Sequence, residues 1–99
     1  MTSERSHGEP ADELRDCRNA IEVVDRRIVA LLAERVALGL RAADAKRAAG
    51  LPIVDPARES EVLRCAIEAA EERNLPSKPV RHIFERIIEL SRRAQESTR

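Results

Sequence analysis

Residues 14–49, LRDCRNAIEVVDRRIVALLAERVALGLRAADAKRAA, carry one helical period from end to end. Leu14, Cys17, Ile21, Val24, Ile28, Leu31 or Leu32, Arg35, Leu38 and Ala42 follow the three-then-four spacing of an amphipathic helix. No proline interrupts the stretch. Gly50 then offers a C-terminal cap, and Pro52 prevents continuation. The spacing predicts a helix of roughly 35 residues, about 50 Å long. Two cations share a face with this apolar stripe. Arg35 and Lys46 are about three turns apart, so they differ by only ~20° in direction and lie about 16 Å apart along the axis. The chain has sixteen arginines and two lysines, which makes a lysine here an unusual choice. Two cations aimed into a core need anions between them, and the stripe carries no acidic residue. A ligand is the natural source of those anions.

The remaining chain supplies two shorter helices. Asp55-Pro56 is a strong helix start, with Asp as N-cap and Pro at the first helical position. That helix is expected to run to about Arg73 on Val62, Leu63, Ile67 and Ala70. Asn74-Leu75-Pro76-Ser77 is a turn. The third helix is expected from Ser77 or Lys78, with Pro79 in its first turn, through Phe84, Ile87, Ile88 and Ser91, fraying after Gln95. Residues 1–11 are polar with Gly8 and Pro10 and are expected to form a disordered tail before a helical domain over 12–96.

Composition agrees with an all-α fold. Ninety-nine residues bound the chain to one domain. Hydrophobic content is 42% and aromatic content 1%, with Phe84 the single aromatic residue, so Leu, Ile, Val and Ala must build the core. Three glycines give little turn material for a β fold. A charged fraction of 36% implies long solvated helix faces.

A formal net charge of zero argues against nucleic-acid binding by phosphate neutralisation. Cys17, Cys65, His7 and His82 show no metal-type spacing, and no metal site or cofactor is expected. The two isolated cysteines read as reduced. Residues 1–10 contain no apolar signal core, and no run approaches membrane-spanning length, so a cytoplasmic protein without a membrane partner is expected.

The helix lengths conflict with a monomer. Two helices of about 25–28 Å cannot cover both halves of one twice as long. The stripe near Leu14, Ile21 and Val24 would stay wet. A homodimer with its long helices packed together removes the conflict.

Three further features gather around the cation pair. Arg58 and Glu59 open the second helix, which a short connector folds back beside Lys46. Phe84, Ile88, Ser91 and Gln95 form one stripe on the third helix, with two polar positions at its end; they line a polar pocket or simply mark the helix emerging into water. Arg18 lies about 25 Å before Arg35 on the long helix and about 42 Å before Lys46. Arg18 and Lys46 of one chain therefore cannot grip the same small ligand, but an antiparallel dimer brings Arg18 of one chain towards the Arg35–Lys46 region of the other.

Leu14–Arg18 (LRDCR), Asp25, Ala30–Arg35 (ALLAER), Ala45-Lys46, Pro52, Asp55, Arg58-Glu59, Phe84, Ile87-Ile88, Ser91 and Gln95, with the lengths between them, resemble the all-helical bacterial chorismate mutases, the small class that forms an intertwined dimer. The resemblance runs without gaps from about Leu14 to Gln95. It implies an intertwined homodimeric helical bundle of three helices per chain, and an isomerase of aromatic amino-acid biosynthesis that converts chorismate to prephenate. It also implies site roles. Arg35 would bind one carboxylate, with Arg18 of the other subunit helping to bind the dicarboxylate. Lys46 and Gln95 would contact the enolpyruvyl ether oxygen. Glu59 would hold the ring hydroxyl with help from the backbone at Asp55, and Arg58 and Ser91 would complete carboxylate binding. Related enzymes on this fold rearrange 4-amino-4-deoxychorismate or eliminate pyruvate from isochorismate. Arg58-Glu59 resembles the mutase pattern more than the lyase pattern, where an apolar residue is expected at Glu59. A non-catalytic helical dimerisation module, with Arg18, Arg35 and Lys46 as solvated charge, is the alternative from another class.

Overall fold

A computed structural model describes residues 9–97, and within them all regular structure is helical. Helix α1 runs Pro10–Ala48, α2 Pro56–Glu72 and α3 Ser77–Ser97. The first helix starts two residues before the expected domain start at 12 and four before Leu14, its first apolar position in the period, because Pro10 is well suited to a first turn, where no intrahelical partner for its nitrogen is needed. Pro10 and Ala11, expected in a disordered tail, are helical, and residues 1–8 lie outside the described residues.

Each boundary has a local chemical cause. Gly50 adopts φ 72°, the left-handed conformation that costs glycine nothing. It lets the Leu51 N–H donate to the Lys46 carbonyl at 2.8 Å and the Gly50 N–H to that of Arg47 at 3.1 Å, which satisfies the last carbonyls of α1. Asp55 is extended (φ −134°, ψ 91°), and its carboxylate accepts from the Arg58 N–H at 3.2 Å, capping α2. At the far end of α2, Asn74 takes φ 58°, and the Leu75 N–H donates to the Ala70 carbonyl at 2.9 Å. This is the same stop as at Gly50, made by the residue that tolerates left-handed backbone best after glycine.

The chain divides into two compact units, one ending at Ala33 and the other beginning at Glu34. The first consists, among the described residues, of the N-terminal part of α1. Its apolar stripe is open: Leu14, Ile21 and Val24 are 50%, 57% and 46% exposed. In the second unit, α2 and α3 pack against each other. The C-terminal part of α1 approaches α3 at Gly39, where a Cβ would stand 3.7 Å from Gln95 Nε2 and 3.8 Å from Ser91 Oγ.

Among the described residues only Ala43, Ala66 and Ala70 are buried. Three alanine side chains supply little of the apolar burial that must offset the chain's conformational entropy. Charge sits on the outer faces, as the composition implies. Arg15–Asp12, Arg64–Glu68 and Arg86–Glu89 are typical of the short-range ion pairs along the helices, all solvent-exposed. Such exposed pairs add little to stability, because water and salt screen them.

Gly39 is a helix-interior glycine with ordinary van der Waals room for a methyl group. Gly39→Ala should therefore raise unfolding stability by about 0.5–1 kcal/mol, read as a higher urea midpoint at unchanged slope. A lower midpoint would mean that α3 lies closer to Gly39 than the structure shows.

Candidate active site

The second unit holds a cavity of about 410 Å³, within the size range of small-ligand pockets. All three helices and the α1–α2 connector build it. Arg35, Gly39 and Lys46 come from α1, Ile53 and Asp55 from the connector, Arg58 and Glu59 from the first turn of α2, and Ser91 and Gln95 from α3. Seven of the eight residues singled out from the sequence thus line one hollow. The eighth, Arg18, is an exposed residue of the other unit.

Neither Arg35 nor Lys46 is paired with a carboxylate among the described residues. Arg35 Nη1 donates to Ser91 Oγ at 3.1 Å, and Lys46 Nζ donates to the Ile53 carbonyl at 3.1 Å. Both contacts are part-buried and neutral on the acceptor side. They orient the two cations without cancelling their charge, so each retains donors for an anionic ligand. Ile53 reaches Lys46 because the Gly50 stop and the Asp55 cap leave only a short connector between α1 and α2. The helix-capping chemistry of that segment therefore sets the position of an ammonium group.

Ser91 and Gln95 face the cavity rather than emerging into water. Their stripe continues from Ile88, which also lines the wall. The side of the cavity formed by Leu38, Ala42 and Val62 is apolar, and low-polarity walls strengthen the field of the cations beside them.

Arg58 and Glu59 behave differently from each other. Arg58 borders the cavity, but its Nη1 donates to Glu61 at 2.7 Å, in a pair whose side chains are 62% and 52% exposed. Glu59 is more enclosed and is gripped by a residue that the sequence reading did not single out. Arg92 donates from Nε to Glu59 Oε2 at 3.0 Å and from Nη2 to Oε1. The hydrogen bonds and charge of Glu59 push the Arg92 guanidinium above its ordinary range. Arg92 follows Ile88 by four residues and precedes Gln95 by three, so its position on the flank of the polar stripe was the available signal.

Cys17 and Cys65 are both free and exposed. No helix among the described residues is long and apolar enough to cross a membrane.

Two cations held by neutral oxygens, an amide and a carboxylate around one cavity suit a polyanionic ligand with a hydroxyl group. Comparison with known proteins gives the same direction. The family model described as chorismate mutase type II matches residues 17–96. A bifunctional chorismate mutase/prephenate dehydratase from Enterobacter agglomerans is 34% identical over 88 residues, covering 89% of this chain but 23% of that protein. A chorismate mutase from Methanocaldococcus jannaschii is 31% identical over 85 residues, 86% of each chain. The match spans nearly the whole chain and takes in every residue of the cavity wall, and the chain belongs to the type II chorismate mutase family.

Proposed function

We propose that this chain is a chorismate mutase, which rearranges chorismate to prephenate in aromatic amino-acid biosynthesis and works as an intertwined homodimer. The observation that carries the reading is the pair Arg35 and Lys46, two cations facing one cavity and held there by neutral acceptors.

The reaction is pericyclic. The ether C–O bond breaks as a new C–C bond forms, with no nucleophile and no proton transfer. Negative charge grows on the ether oxygen in the transition state. The Lys46 ammonium and the Gln95 amide, directed at that oxygen, interact more strongly with the transition state than with the substrate. Arg35 takes one carboxylate, with Ser91 fixing its guanidinium and adding a hydroxyl to the carboxylate site. Arg58 completes this anion site by exchanging Glu61, a solvent-exposed partner, for substrate. Clamping both carboxylates holds the flexible enolpyruvyl arm over the ring and lowers the entropic part of the barrier. Glu59 accepts from the ring hydroxyl, with the backbone at Asp55 beside it.

Dimerisation supplies what one chain lacks. The exposed stripe of Leu14, Ile21 and Val24, and a set of buried residues limited to three alanines among those described, support a second chain packed along α1. In that arrangement Arg18 of the partner reaches the substrate's carboxylates. A protein of this kind works dissolved in the cytoplasm, with neither nucleic acid nor membrane as partner.

Incubation with chorismate, followed by the loss of its ultraviolet absorbance and the appearance of prephenate, tests the activity directly. No turnover of chorismate, isochorismate or 4-amino-4-deoxychorismate at micromolar protein would leave a dimerisation module as the reading. Lys46→Ala and Gln95→Ala should each lower kcat by on the order of 100- to 1,000-fold while circular dichroism and dimer mass stay unchanged; full activity in Gln95→Ala would remove its assigned role. Arg18→Ala and Lys46→Ala, each inactive alone, should regain activity when unfolded together and refolded, because a heterodimer contains one site with both residues intact. Heterodimers that form without activity would place Arg18 outside the site.

A further inference from the structure

The Arg92–Glu59 pair has no part in the roles assigned above, yet it controls one of the groups to which a role was given. Glu59 lines the 410 Å³ cavity and also a smaller hollow of about 170 Å³. Arg92 lines that smaller hollow and another of about 280 Å³, but not the main cavity. Arg92 thus holds the carboxylate of a residue that lines the main cavity without lining that cavity itself. Both carboxylate oxygens are engaged, through Nε and Nη2. This two-point fork fixes the plane of the carboxylate as well as its position. Each oxygen keeps lone-pair capacity beyond the one contact to Arg92, so the group still accepts from a ligand.

The fork also changes what the carboxylate attracts. An unpaired carboxylate on a cavity wall draws a cation and a hydroxyl donor alike, and the cation more strongly. With a guanidinium forked onto it the pair is neutral overall, and the long-range attraction for a cation largely cancels. A hydroxyl depends on the local acceptor geometry, which the fork preserves. Arg35 and Lys46 in the same cavity repel a cationic substituent further.

We propose that Arg92 is a positioning and specificity-determining residue: by forking Glu59 from outside the cavity, it makes the site favour a neutral ring hydroxyl over a ring ammonium at the position that Glu59 contacts. This inference rests on the proposed mutase activity and on Glu59 as the group that meets the ring substituent. It names chorismate rather than 4-amino-4-deoxychorismate as the favoured substrate.

The test is the ratio of kcat/KM for chorismate to that for 4-amino-4-deoxychorismate, measured with wild type, Arg92→Met, Arg92→Lys, Glu59→Gln and the Arg92→Met/Glu59→Gln double variant. Methionine keeps an unbranched apolar stem and removes the fork and the charge. The ratio should fall by about tenfold or more in Arg92→Met, the size of one hydrogen bond to a charged group. Arg92→Lys, which keeps the charge, should retain most of the ratio. In the Glu59→Gln background, Arg92→Met should leave the ratio unchanged, because the effect acts through Glu59. Should Arg92→Met fail to fold by circular dichroism, Arg92→Gln, neutral but still a donor, must show the same fall. An unchanged ratio in a folded neutral variant overturns the inference. So does an equal fall with and without Glu59, since a mere α2–α3 tie would lower both substrates together or act independently of Glu59. A wild type inert towards both substrates overturns the mutase reading itself and this inference with it; an active wild type with an insensitive ratio overturns this inference alone.

Discussion

A part-buried cation without a carboxylate partner is an expensive arrangement, and the second unit holds two of them around one cavity. Arg35 rests on a serine hydroxyl from α3, and Lys46 on a peptide carbonyl from the connector. Both partners are dipoles and leave the net charge of the site intact. Much of the local architecture follows. The third helix must bring Ser91 beside Arg35, and the connector must turn Ile53 back onto Lys46.

The same restraint bears on where α1 stops. Gly50 and Asp55 terminate α1 and start α2 within a few residues, each through its own backbone conformation and hydrogen bonds. This connector serves two ends at once: it satisfies helix termini, and it presents a carbonyl to an ammonium. The turn at Asn74 uses the same backbone chemistry for a simpler purpose, joining α2 to α3 at a point that no residue of the cavity occupies.

The helices were legible in the sequence because their signals are local. An unbroken apolar period, a glycine followed by a proline, and an Asp-Pro pair act within a turn or two, and, the start of α1 apart, the boundaries fall within about two residues of where those signals place them. The cavity wall was legible for another reason. Arg35 and Lys46 share one face of a single helix, and Ser91 and Gln95 share one face of another, so periodicity groups them before any packing is known. Arg92 was not legible, because its importance lies in a partner thirty-three residues away on a different helix. In a chain with sixteen arginines, a place on the flank of the polar stripe is the one local trait that separates Arg92 from Arg86 or Arg93, which pair with a neighbour on their own helix, and it does not name Glu59 as the partner. Arg58 shows the converse. Its position was readable, but its exposed pairing with Glu61 depends on rotamer choices that spacing does not encode.

The hydrogen bond from Lys46 to Ile53 also bears on how this lineage can change. Loops between helices ordinarily absorb insertions and deletions at little cost. The segment between Ala48 and Pro56 has no such freedom. A single added residue there would move the carbonyl that steadies the ammonium while leaving both helices well formed. Length variation in relatives should accordingly collect around Asn74 and spare the connector, and a designer seeking a point to graft a peptide or a fluorophore should choose the Asn74 turn.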